Sequence, residues 1–180
     1  MALPSSGSIS FSQINTELGR SSTAQLSMND SGLRTLFGIS SGQISMNSGY
    51  GKANAFVHTA TIAGNIANYD QRAAAVAAGW DQVKPLISTV TINSGVYVYS
   101  GGTGSYAYST GSTFPSGSQL YLINNGTIIG CGGNGGNGGD QTTGYGGAGG
   151  GPALYAGYAI SVTNNGTIAG GGGGGGGGGS

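Results

Sequence analysis

Charged side chains all but vanish from the second half of this 180-residue sequence: from Pro85 to Ser180 only Asp140 carries one, and the other nine lie before Pro85. Enzyme chemistry needs titratable or ligating groups converging in a cleft, so this half has little from which to build an active site, and no enzymatic role is expected. Five basic residues balance five acidic ones, which leaves no electrostatic footprint for nucleic acid. The single cysteine, Cys131, excludes an internal disulfide, and with one histidine, His58, there is no set of zinc ligands. Both read as packed or surface residues, and no cofactor or metal is expected. No run approaches the roughly 20 apolar residues of a membrane span. The opening MALPSSGSISF lacks the basic region and apolar core of a secretory signal.

What fills the space is glycine. There are 41 in all, 32 of them from Pro85 onward, and ten are consecutive, Gly170 to Gly179. Glycine loses the most backbone entropy on ordering and returns no side-chain burial, so such tracts are either coil or held by neighbours. The segment GGNGGNGG, Gly132 to Gly139, has a period of three, the period of a polyproline II helix, in which ten residues extend about 31 Å. That geometry has no internal hydrogen bonds, and only glycine lets such helices approach closely. A phosphate-binding loop is excluded because no lysine follows Lys84. The terminal run reads as a helix cut short, in a chain expected to continue.

Three regions are expected: 1–55 as an N-terminal module, 56–86 as a helical connector, and 87–180 as strands with glycine-rich segments. In the first, GSISFSQIN and GQISMNSGY share a G-x-I-S theme 35 residues apart. Ser10 and Gln13 have capping-box spacing, predicting a helix from Phe11 to Leu18 stopped at Gly19. Asp30 or Ser31 caps a second helix carrying Leu33, Leu36 and Phe37, ended by Gly38. Tyr69 to Trp80 is a third, with Val76 and Trp80 as its buried stripe. Beyond Leu86 the period changes to two, and Val90 to Tyr99 reads as a strand pair around Asn93-Ser94-Gly95. Ser105 to Ser112 is a weaker strand candidate.

A sharper repeat follows. NNGTI occurs at Asn124 to Ile128 and again at Asn164 to Ile168, each time after an apolar strand and before a glycine tract. The Asn-Gly pair predicts a tight turn with positive backbone angles. The fold class expected is mainly β with a few short helices: a small α/β module, then strand repeats with polyproline II-like glycine segments.

MALPSSGSISFSQINTELG, SMNDSGLRTLFG and GQISMNSGYGKA resemble the N-terminal module of tailed-bacteriophage tail-fibre and virion structural proteins. YDQRAAAVAAGW and STGSTFPSGSQLYLINNGTIIG are similar to the same group, and the glycine-rich stretches to the polyproline II bundles of some phage adhesins. The resemblance implies a homotrimeric fibre or tail-tip component of the virion, attached by its N-terminal end to other tail proteins and contributing to host-receptor binding. A glycine-rich surface adhesin or ice-binding module is the alternative. The candidate subunit or receptor contacts are Tyr97, Tyr99, Tyr106, Tyr108 and Tyr121, since tyrosine offers an apolar ring and a polar tip to partners and sugars alike.

Overall fold

The computed structural model describes residues 3–52, 54–139 and 144–178, which form a mixed α/β fold of short helices and parallel sheets. Asp140 lies outside them. The chain makes two compact units, Met1–Val57 and His58–Ser180.

Local capping builds the first unit. Helix α1 (Phe11–Glu17) opens on the expected box: Gln13 N–H donates to Ser10 Oγ at 3.2 Å, and Ser10 N–H donates to Gln13 Oε1 at 2.8 Å. Asp30 caps α2 (Ser31–Phe37) by accepting Leu33 N–H at 3.0 Å, and Gly38 closes it at φ 74°. The second G-x-I-S copy caps a 3-10 turn (Met46–Gly49) through Ser45. Helices this short do not persist alone. They are held by a shared core of Leu3, Ile9, Ile14, Leu33, Leu36 and Phe37.

The second unit is a coil of parallel strands. One sheet stacks β1 (Phe56–Ile62), β4 (Leu86–Ile92), β7 (Gln119–Asn124) and β10 (Ile160–Asn164). A second sheet stacks β2 (Ile66–Ala67), β5 (Tyr97–Tyr99), β8 (Thr127–Ile129) and β11 (Thr167–Ala169), and a third β3 (Tyr69–Asp70), β6 (Tyr108–Ser109) and β9 (Leu154–Tyr155). The chain visits the three sheets in turn, and each pass lays a strand beside the previous one. Alternation along β4 turns Leu86, Ser88, Val90 and Ile92 inward, against Val98, Leu122 and Ile128 from the other strands.

This winding corrects the hairpins expected from sequence. β4 and β5 flank Asn93-Ser94-Gly95 but belong to different sheets, each pairing with a strand of the following pass. Period-two alternation reveals which face is buried and says nothing about which strand lies alongside. The NNGTI segments are likewise corners between sheets. Gly126 and Gly166 are absent from the positive-φ glycines; glycine is required at 126 because a Cβ would overlap the Val96 carbonyl. The 40-residue offset reappears as register, with Leu120 opposite Ile160, Asn124 opposite Asn164 and Thr127 opposite Thr167.

Residues 56–86 hold three strands as well as a helix. Helix α3 (Gln71–Ala77) is shorter than expected because Tyr69 and Asp70 form β3, with Asp70 capping through Ala73 N–H at 2.7 Å. Trp80 is buried as expected, but Val76 is only half-buried, and Gln71 and Ala75 face inward in its place. Trp80 stacks on Phe114, with Arg72 over its ring.

The glycine-rich segments 131–139, 144–151 and 170–178 leave the coil between the second and third sheets and bond to one another every third residue. Gly133 and Gly136 N–H donate to the carbonyls of Gly172 and Gly175; Gly171, Gly174 and Gly177 donate to Gly151, Ala148 and Tyr145; Ala148 and Gly151 donate to Asn134 and Cys131, all at 2.7–2.9 Å. Each segment therefore donates to one neighbour and accepts from the other. At Gly133, Gly136, Gly147, Gly150, Gly171, Gly174 and Gly177 a Cβ would overlap a neighbouring carbonyl.

Candidate contact faces

The five tyrosines singled out from sequence fall in four settings. Tyr97 and Tyr99 project from the outer face of the second sheet, 50% and 43% exposed. Register sets Tyr97 in a row with Thr127 and Thr167, and Tyr99 with Ala67, Ile129 and Ala169. Tyr121 stands on the outer face of the first sheet, in line with Thr89 on one side and Ser161 on the other. Its hydroxyl donates to Gln119 Oε1 at 2.7 Å. Tyr106 is exposed and stacks on Tyr155 at 4.7 Å between ring centroids.

Tyr108 is no contact residue: it is fully buried. Sequence alternation pairs it with Tyr106 on one face, but Ala107 and Tyr108 both point inward where the chain enters the third sheet. Its hydroxyl donates to Gln71 Oε1 at 2.9 Å, and Gln71 Nε2 donates to Ser88 Oγ at 2.9 Å. Ser88 Oγ also bonds His58 Nδ1 at 2.9 Å. Burial in this network raises the Tyr108 phenol far above its ordinary value and raises Tyr69 beside it. The same desolvation lowers His58. The network is a buried strut between β1, β4, α3 and β6, where solvent-borne substrate has no access.

The carboxylates of the described residues serve the backbone or a neighbouring side chain. Asp70 caps α3 and accepts from Ser109 Oγ at 3.0 Å. Asp81 accepts the N–H groups of Val83 and Lys84, which hold its carboxyl below the usual range. Arg20 pairs with Asp30 through two bonds of 3.0 Å, whereas Glu17 accepts Asn54 N–H. Among the described residues no group of three metal-ligating side chains converges, and no helix is long and apolar enough to cross a membrane.

Sequence reasoning missed the asparagine ladder. Asn124 Nδ2 donates to Asn164 Oδ1 at 2.8 Å and to the Thr167 carbonyl at 3.1 Å, while Asn165 Nδ2 donates to Asn125 Oδ1 at 2.9 Å. The doubled NNGTI was its signal, once the copies are allowed to stack in parallel.

A coil of parallel strands with uncharged tyrosine and threonine on its outer faces, extended by a glycine layer, is the build of a structural and adhesive protein. The family model described as phage tail fibre adhesin Gp38 matches residues 57–180, and the chain belongs to that family. Neither the curated proteins nor the solved structures gave a match. The protein is a component of the phage tail in the virion and acts in host attachment.

Proposed function

We propose that the chain is a homotrimeric tail-fibre or tail-tip adhesin in which residues 1–55 attach to other tail proteins and the coil presents contact faces to the host. The observation that carries this reading is the pairing of two uncharged outer faces with different chemistry on one stiff scaffold. The second sheet offers Tyr97, Tyr99 and Ile129, large apolar groups that are costly to leave in water; these suit a subunit seam in an elongated, mainly β trimer. The first sheet offers Tyr121 among hydroxyls, a mixture suited to a wet, exchangeable contact with a receptor. The bonding of the glycine segments at every third residue supports a polyproline II bundle, which would hold the far end rigid.

The experiment is genetic and biochemical. Phage carrying Tyr97→Ser with Tyr99→Ser should yield chains that fail to trimerise in solution, whereas replacing residues 1–55 should leave chains that trimerise but are missing from purified particles. Particles that retain the adhesin without residues 1–55 would refute the attachment role.

A further inference from the structure

Two depressions flank Tyr121 on the outer face of the first sheet. One, of about 230 Å³, is lined by Gln119, Tyr121 and Ser161 together with Ser118, Leu120, Ala159 and Ile160, and the second, of about 290 Å³, by Thr89, Tyr121, Leu122, Ile123, Ser161 and Thr163. Tyr121 and Ser161 line both, and along β7 the outward Tyr121 falls between Gln119, which lines the first, and Ile123, which lines the second. Each is the volume of roughly eight to ten liquid waters, which suits a single sugar ring better than a helix or a strand. We propose that this pair of depressions is a binding site for a neutral oligosaccharide, with consecutive sugars on either side of the Tyr121 ring. This deepens the host-attachment reading of the same face and rests on it.

Three features point to that ligand class. A pyranose has C–H groups on its faces and hydroxyls around its rim, so it fits an aromatic ring bordered by hydroxyl and amide groups. Here Thr89 and Ser161 sit in register with Tyr121 on both sides, each one strand spacing of about 4.8 Å away. The ring is also held in advance: its hydroxyl is tied to Gln119 Oε1, and its strand lies between two partners in a parallel sheet, so little freedom is lost on binding. Finally, the outward positions in register across β4, β7 and β10 are Ile87, Thr89, Thr91, Gln119, Tyr121, Ile123, Ser161 and Thr163, all uncharged. An acidic glycan or peptide would be desolvated there with no counter-charge in return.

The test uses the full chain, with maltohexaose, cellohexaose and the neutral O-polysaccharide of a sensitive host as probes and oligogalacturonate as the acidic control. Amide chemical-shift mapping should place the perturbation at Gln119–Ile123 and Ser161–Thr163 with at least one neutral probe. Tyr121→Ala should weaken that binding at least tenfold, and Val83→Ala, a change at an exposed position outside the three sheets, should leave it unchanged. Shifts with no neutral probe, preference for the acidic one, or a Tyr121→Ala change in oligomer mass in place of sugar affinity would overturn the proposal. Adsorption of phage carrying Tyr121→Ala separates the two levels: lost adsorption without sugar binding keeps the face as a receptor site and rejects the glycan.

Discussion

At the scale of single residues, the second unit is specified by a few buried polar groups. Asn124 is fully buried and makes bonds to Asn164, Thr167 and Gly126. Asn124→Ala strands several of these partners, each at a cost of about 1–3 kcal/mol; thermal unfolding should show the loss, with Asn165→Ala, an exposed change, close to neutral. His58 gives a pH signature. Because burial lowers its pKa in the folded chain, the unfolded chain binds the proton more readily, and stability falls as pH drops below about 6.5, the ordinary histidine value. Denaturant titrations between pH 7.5 and 5 should show a decline no steeper than about 1.4 kcal/mol per pH unit, the limit for one proton. His58→Gln should flatten it. Neither role was visible in the sequence, because the side-chain partners, Asn164 and Ser88, lie 40 and 30 positions away.

At the scale of elements, what the sequence discloses depends on how local the cause is. Ser10 with Gln13, Asp30 and Gly38 act within a few residues of themselves, so α1 and α2 could be read directly. The direction and neighbour of β5 depend on strands 30 residues to either side, and the alternation of Tyr97, Val98 and Tyr99 is the same for a hairpin or a parallel coil. Tyr108 was misplaced for a similar reason, since a corner puts two successive side chains inward. The glycine segments stand between these cases: GGNGGNGG shows the period, but the absence of side chains in Gly170 to Gly179 conceals which positions are constrained. The structure makes the difference testable. Gly174→Ala places a Cβ into the Asn134 carbonyl, whereas Gly172→Ala and Gly175→Ala open onto free space. Gly174→Ala should lower the unfolding midpoint, and Gly172→Ala should leave it unchanged or raise it slightly by restricting the unfolded chain.

At the scale of the whole molecule, two units differ in what holds them. Met1–Val57 relies on caps and one small apolar cluster, His58–Ser180 on stacked parallel strands. Opening should therefore be regional, with amides of Leu33 to Phe37 exchanging before those of Val90 and Leu122 in hydrogen-exchange measurements. The trimer we propose would bury the exposed apolar groups of the second sheet: light scattering should then give three times 17.5 kDa, and Tyr97→Ser with Tyr99→Ser should reduce that mass.

The glycine layer has a consequence outside the cell. Its described segments are joined by backbone amides and carbonyls and contain no charged side chain, so acid, salt and changing counter-ions find nothing in it to titrate or screen. A scaffold written in backbone alone keeps its shape through them, and leaves the side chains on neighbouring surfaces free to change with the host without renegotiating the frame that carries them.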